Sequence, residues 1–259
     1  MKKIQINQTS IGQQDYNLVE KVGDDINVFS PSLYKAIDLG LPSGILWADR
    51  NIGAATPEDS GLYFSWGDTQ GYTAKQVGNG EGLKAFSWAD YKWSIDGSSS
   101  NFSKYNASDS KIVLDPEDDA AHVNMGGNWR MPTYEEYKEL LLNTDIYLVS
   151  PEGEEIQGTA QEEQGGITIN WASHTEVTLK GVKFYKNGDK QTYMFVPAAG
   201  DVRGGSMRGV GLSGFLWSSS LVSSGVQGAW YFNFRANLGG VFNGDRYYGI
   251  PVRGIMSNN

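Results

Sequence analysis

Leu216–Arg253 has the sequence LWSSSLVSSGVQGAWYFNFRANLGGVFNGDRYYGIPVR, and this stretch decides how the chain is interpreted. It is rich in aromatic, Asn, Gly and Ser residues, its only cations are arginines, and it contains neither Lys nor Glu. Within it, Trp and Phe occupy every second position of AWYFNF, so we predict a strand with one buried aromatic face and one exposed face. The predicted buried face carries Trp230, Phe232 and Phe234. The predicted exposed face carries Tyr231, Asn233 and Arg235.

The composition favours one large domain with a substantial core. The chain has 259 residues, of which 39% are hydrophobic and 12% aromatic, so global disorder is excluded. The 33 glycines and eight tryptophans indicate a loop-rich fold held by aromatic packing. Because there is no cysteine, disulfides, thiolate catalysis and thiolate metal sites are all excluded.

The charge is unevenly distributed along the chain. The net charge is -9, but residues 201–259 contain five Arg and two Asp and therefore carry +3. An acidic body argues against nucleic acid as a partner, since phosphate binding needs dense positive charge. The C-terminal part instead has the Arg and aromatic content of protein-binding hot spots.

The N-terminal 30 residues differ from the rest. MKKIQINQTSIGQQ has two lysines but no apolar region behind them, so no signal peptide is expected, and no segment suits membrane insertion. Apolar and polar residues alternate over positions 2–7, and this pattern predicts a short strand. We therefore divide the chain into an extension, 1–30, for anchoring or assembly, and a domain, 31–259.

Few helices are predicted. Asp115 before Pro116 is typical of a helix start, and that helix should end near Asn124. Thr133 and Glu136 form a capping box for a second helix that ends near residue 143.

Short strands and long loops make up the remainder. ITINW, EVTLKGVKFY and QTYMFV are predicted strands, with Asn187-Gly188 as a type I′ hairpin turn between the last two. Residues 67–112 lack periodicity and should form long loops anchored by Trp88 and Trp93. The pattern as a whole predicts an α+β fold.

No catalytic, metal or cofactor site is predicted. The G-x-G-x-x-G match at residues 209–214 is followed by FLWSSS and not by a helix, so it lacks the helix N-terminus that a phosphate needs. His122 and His174 lie in no known catalytic motif. The acidic DPEDDAAH lacks the Gly and terminal Glu of an EF-hand loop.

Five motifs occur in a characteristic order. They are AIDLGLPSGILWADRNIGAATPEDSGLYFSWGDT, GGNWRMPTYEEYKELL, FVPAAG, GFLWSSS and RYYGIPVR. Over residues 34–255 the chain resembles the Bacteroidetes paralogous-domain proteins, which have a C-type-lectin-like fold related to formylglycine-generating enzymes. The resemblance implies that Trp47, Trp66 and Trp129 pack in the core, and that Arg246 and Arg253 have scaffold roles.

Within that fold, the tail resembles the variable region of a diversity-generating retroelement target protein. In such proteins, adenines of codons near the 3′ end are rewritten, which cannot convert Asn codons to Lys, Glu, Gln, Met or Trp. The absence of Lys and Glu after residue 200 fits this rule. The resemblance places the variable region at 216–250. Its expected ligand contacts are Tyr231, Asn233, Arg235, Asn237, Phe242, Asn243, Asp245, Tyr247 and Tyr248.

The resemblance implies a non-enzymatic binding protein on a virion or cell surface. Its expected partner is a protein or glycan on a cell surface, as in phage or bacterial receptor recognition, and homo-oligomer formation stays open. The E-P-N, Q-P-D and W-N-D calcium-sugar motifs of animal C-type lectins and the cysteines of formylglycine-generating enzymes are missing. The alternatives are an undiversified adhesin domain or a hydrolase that uses His122 or His174.

Overall fold

The computed structural model describes residues 18–22, 25–29, 34–163, 166–172 and 178–258. Strands account for 39% of residues and helices for 11%, in agreement with the predicted α+β class with few helices. The strand predicted at residues 2–7 lies outside the described residues, and so does His174.

Five short strands precede the helices. They are β1 (Leu18–Val22), β2 (Asp25–Phe29), β3 (Ala36–Ile37), β4 (Leu46–Ala48) and β5 (Tyr63–Phe64). β1 and β2 pair antiparallel with each other, so the segment 1–30 contains a hairpin. The domain boundary at residue 30 stays a prediction.

The segment 67–112 is irregular, as predicted, and contains two 3-10 turns, Ala74–Gln76 and Trp88–Asp90. The Trp88 ring contacts the rings of neighbouring aromatic residues, Tyr247 among them, with centroids 4.9 Å apart. Trp93 packs edge-on against Tyr105 at 5.8 Å. Both tryptophans therefore anchor these loops as the sequence predicted.

Two α-helices follow, α1 (Ala120–Met125) and α2 (Tyr134–Leu142). The capping box of α2 is confirmed, because the Thr133 hydroxyl accepts from the Glu136 amide at 3.3 Å and the Glu136 carboxylate accepts from the Thr133 amide at 2.8 Å. The tertiary contacts of α2 come from its apolar face, which buries Tyr137, Leu140 and Leu141.

The predicted first helix is divided: Asp115 and Pro116 begin a helical turn as predicted, but it does not continue into α1. Residues Pro116–Asp118 form a separate 3-10 turn, and Asp119 caps α1 by accepting from the amides of Ala121 and His122. Asp119 also accepts from the Met131 amide at 2.8 Å. Asp119 therefore caps α1 with one carboxylate oxygen and binds the chain before α2 with the other.

The described strands after α2 are β6 (Thr144–Val149), β7 (Glu155–Glu163), β8 (Gly166–Trp171), β9 (Gly181–Lys186), β10 (Asp189–Pro197), β11 (Asp201–Arg203), β12 (Ser206–Arg208), β13 (Ser213–Leu221), β14 (Gly228–Arg235), β15 (Leu238–Asp245), β16 (Ile250–Pro251) and β17 (Ile255–Met256). Most of them join one curled sheet. The large sheet has the order β10-β9-β6-β7-β8-β15-β14-β13. β16 pairs with β5, and β17 with β4, so the last strands return to the first ones.

The hairpin at Asn187-Gly188 is present, with Lys186 opposite Asp189. Its predicted type I′ turn is wrong, because only Gly188 of the two residues has a positive φ, at 73°. A type I′ turn needs positive φ at both central positions.

The strand pair β13–β14 is packed on both faces. Phe232 and Phe234 join the main core cluster, which includes Tyr137 of α2 and the interior of the large sheet. Ala229 and Trp217 belong to a second cluster built on Trp66 and the N-terminal strands. Because successive residues of a strand point to opposite faces, these two strands separate two hydrophobic clusters.

Two indoles bind the second cluster to this strand pair. Trp66 donates to the Ser218 carbonyl and Trp217 donates to the Phe64 carbonyl, each at 2.9 Å. Both indoles are fully buried. Their N–H groups would be costly to bury without acceptors, so these reciprocal bonds fix the position of β5 against β13.

The two motif arginines are buried, as expected for scaffold residues. Arg253 donates two hydrogen bonds to the Asn51 side chain, at 2.8 and 3.0 Å, and one to the Phe195 carbonyl at 2.6 Å. Arg246 donates to the Tyr105 carbonyl at 3.1 Å, and its guanidinium lies 3.9 Å from the Phe102 ring centroid. Burial lowers the pKa of both groups, and their hydrogen bonds and ring contacts offset only part of the desolvation.

Trp217 and Trp230 differ in how deeply they are buried, and this difference gives a stability prediction. We expect Trp217→Ala to lower the free energy of unfolding by about 3–5 kcal/mol, because a fully buried side chain is removed. Trp230 is only partly buried, against Tyr134 at 4.6 Å, so Trp230→Ala should cost about 1–2 kcal/mol. Urea unfolding of both variants measures the difference, and equal losses would contradict this packing.

Candidate functional site

A groove of about 450 Å³ lies over one face of β13, β14 and β15. Strand register forms its floor in two rows: Ser213, Arg235 and Leu238 lie side by side, and Phe215, Asn233 and Gly240 form the next row. Tyr231 and Phe242, which pair with each other, close the floor at one end. One face of three consecutive strands thus supplies most of the groove.

Gly240 lies where β15 approaches β8 closely. Its φ is 144°, and a Cβ atom there would lie 2.3 Å from the Ile167 carbonyl oxygen. Only glycine suits this conformation and this close approach of β15 to β8.

The wall of the groove is the hairpin of β11 and β12. Gly204 and Gly205 have φ of 57° and 76°, as a two-residue type I′ turn requires. Asp201 pairs with Arg208 across the hairpin, and Arg203 follows on the same face two residues later. The opposite face buries Val202, so the charged face is the one directed to the groove.

The base of this wall is joined to the floor. The Gly200 amide donates to the Ser213 carbonyl at 2.8 Å, which connects the hairpin to β13. Val202 and Gly249 exchange two backbone hydrogen bonds, of 2.8 and 2.9 Å. The wall is therefore held by backbone groups and does not depend on the side chains that line the groove.

The arginines around the groove differ in their contacts. Arg203 forms an ion pair with buried Asp201, and its guanidinium lies 3.8 Å from the centroid of the Tyr248 ring. Burial raises the pKa of Asp201, an effect that Arg203 opposes. Arg208 and Arg235 are exposed and, among the described residues, make no ion pair or side-chain hydrogen bond.

The phenol groups near the groove stay protonated at neutral pH. Burial raises the pKa of Tyr231, and it raises that of Tyr248 to about 12. A protonated phenol both donates and accepts hydrogen bonds. These tyrosines therefore add neutral polar groups beside the guanidiniums.

The structure brings five of the nine expected contact residues into this groove. They are Tyr231, Asn233, Arg235, Phe242 and Asn243. The other four lie beside it or at the strand ends: Asn237 is exposed after β14, and Asp245, Tyr247 and Tyr248 are partly buried.

The predicted exposure of Asn233 is wrong. Its side chain is only 7% exposed and donates to the Gly214 carbonyl at 2.9 Å. Tyr231 is also largely covered, since it packs against Phe215 and Trp217 at 5.6 and 5.7 Å. Alternation predicted one buried face for β14, whereas the second cluster covers part of the other face.

Several lining residues escaped the sequence-based prediction. They are Asp201, Arg203, Arg208, Gly209, Ser213, Phe215 and Leu238. The stretch DVRGGSMR contains the signal that would have identified the wall, because Gly-Gly between alternating residues is typical of a hairpin.

The glycine motif at 209–214 forms no phosphate site of the usual kind. Gly209 and Gly211 have positive φ, and β13 follows directly. As predicted, no helix begins there.

His122 lies in another groove, beside Trp129 and Ser219. Its Nδ1 is 3.3 Å from the Trp129 carbonyl oxygen, and Ser219 Oγ lies 3.3 Å from the Pro132 carbonyl. In the described part of the chain, no hydrogen bond links His122 to a hydroxyl. This groove therefore shows no contact between a base and a nucleophile.

The acidic cluster holds a lysine. Asp115, Glu117 and Asp118 lie together, and Lys104 Nζ is 2.6, 3.3 and 2.5 Å from their respective carboxylates. Although desolvation lowers it, the pKa of Lys104 is raised overall by the hydrogen bonds to these carboxylates. The Lys104 ammonium group thus occupies the position between the carboxylates where a metal ion would bind.

Comparisons with protein-family models, curated proteins and solved structures find no match to this chain. Among the described residues, no helix has the length and apolar character needed to cross a membrane.

The position of Lys104 predicts that chelators do not affect stability. We expect the same Tm within about 1 °C with EDTA and with added Ca²⁺, because a cation that bound the folded state would raise it. Differential scanning calorimetry tests this. A Tm that falls by many degrees in EDTA would show that an ion is bound.

Proposed function

We propose that the chain is a non-enzymatic binding protein. Its C-type-lectin-like scaffold presents a diversified C-terminal surface, residues 216–250, to a protein or glycan receptor on a cell surface. The protein would act on a virion or a bacterial cell surface and belong to the target proteins of diversity-generating retroelements. The proposal follows from the ordered sequence motifs together with the groove.

One observation carries the proposal. Five expected contact residues, all from β14 and β15, line a single groove although they were selected from sequence alone. Tyr, Arg and Asn side chains in that groove provide the contact area and adaptable hydrogen bonds that are typical of antibody binding surfaces.

The supports of the groove lie outside its variable side chains. Trp217 cannot arise from a rewritten Asn codon, and it is fully buried beneath the groove. The wall is attached through backbone hydrogen bonds of Gly200 and Val202. Side chains on the floor can therefore change while the scaffold stays the same, as diversification requires.

Alanine substitution separates binding from folding. In the triple variant of Arg235, Phe242 and Asn243, we expect a Tm close to that of the parent protein, because surface changes each cost within about 0.5 kcal/mol. Binding to cells should be lost. The measurement is flow cytometry of the labelled protein on a panel of bacterial strains, beside a melting curve.

A matched triple variant of exposed residues outside the groove serves as control: Glu58→Ala, Lys75→Ala and Gln191→Ala. It should bind the same strains as the parent. If the groove variant folds and still binds those strains, the proposed binding surface is wrong.

Flanking DNA tests the retroelement part separately. We expect a near-copy of the 3′ end of the gene that differs at adenines, beside a reverse-transcriptase gene. Without that copy, the undiversified surface-domain alternative applies.

A further inference from the structure

The chain has seven arginines, and five of them are either paired or buried. Arg50, Arg130 and Arg203 contact carboxylates, whereas Arg246 and Arg253 are fully buried. The remaining two, Arg208 and Arg235, are exposed, have no carboxylate partner among the described residues, and line the same groove.

The lining has a charge opposite to that of the whole protein. Three guanidiniums face the groove, and Asp201 is the one carboxylate among the residues that line it. Asp245 lies outside this lining, beside Tyr248. A local positive charge on a chain with net charge -9 attracts anions to this groove and away from the rest of the surface.

The guanidiniums have different roles. Arg203 is held in place by the ion pair of its Nε with Asp201 and by the Tyr248 ring. Arg208 on the wall and Arg235 on the floor keep their donors free, and each suits a planar carboxylate through two parallel hydrogen bonds. The groove thus presents two unpaired carboxylate-binding groups from two separate elements.

The aromatic residues of the groove favour a peptide over a sugar. Sugar rings stack on free aromatic faces, but the Tyr248 face is covered by Arg203 at 3.8 Å, and Tyr231 packs against Phe215 and Trp217. Phe242 and Leu238 add apolar contacts between the guanidiniums. In this groove, guanidinium groups lie beside small apolar surfaces. Such a lining suits a peptide whose acidic residues are interspersed with apolar ones.

From these contacts we infer that the groove binds an acidic peptide segment of a protein partner, with Arg208 and Arg235 as its carboxylate-binding residues. This inference rests on the proposed function and defines its ligand class. Arg208 lies outside the variable region 216–250, so anion recognition on the wall stays constant while the floor varies.

Fluorescence anisotropy of the full chain with a labelled oligoglutamate peptide tests the inference. We expect binding that weakens with added salt and that Arg208→Glu/Arg235→Glu weakens by about tenfold or more. The control Lys35→Glu/Lys75→Glu makes the same change in net charge at exposed, unpaired lysines outside the groove. It should change the affinity by no more than about twofold.

Other probes and the control variant define the results that would overturn the inference. Binding of oligogalacturonate but not oligoglutamate would overturn the peptide assignment, and equal losses in both double variants would show attraction by net charge alone. If inorganic phosphate competes as well as free glutamate-rich peptide at equal charge, the groove is a general anion site and the inference fails.

The cell-binding experiment separates this inference from the proposed function. If the groove triple variant loses cell binding but the parent binds no oligoglutamate, the function stands and the acidic ligand is wrong. If that variant keeps cell binding, the proposed function fails whatever the peptide does.

Discussion

The strand pair β13–β14 depends on hydrophobic packing on both of its faces, and much of the structure depends on that pair. Phe232 and Phe234 pack into one cluster, while Trp217 and Ala229 pack into the other. Removing either cluster would expose one face of the pair to water. Phe64 and Trp66 pack against this pair in the second cluster, and α2 packs against it as well as against other strands of the large sheet.

This arrangement determines where a groove can form. Near Trp217 the second cluster covers the strands, so side chains there are structural. The cluster ends before Arg235, where the same face of β14 becomes exposed. The hairpin with Arg203 and Arg208 then stands next to an uncovered sheet surface. The groove is the place where one strand changes from core to surface along its length.

The sequence predicts local features well and tertiary coverage less well. The α2 capping box and the hairpin at 187–188 depend on neighbours in sequence, and both were found. The predicted alternation of buried and exposed residues along β14 was not found. Asn233 was misplaced because the covering side chains of Phe215 and its neighbours come from another strand. The wall was missed because its relation to β14 depends on backbone contacts with residues 200 and 249.

The break between the 3-10 turn and α1 was also missed, although Asp119 is a favoured N-cap residue. Buried Arg253 was identified only through its motif, since no spacing rule leads from it to Asn51, about two hundred residues earlier.

The reciprocal indole bonds of Trp66 and Trp217 have a consequence for how the chain folds. They join residues more than 150 positions apart, so the contact order is high and folding is expected to be slow. During translation, the second cluster cannot close until β13 and β14 have left the ribosome. A chain that stops before them would retain an open hydrophobic surface, which chaperones and proteases recognise.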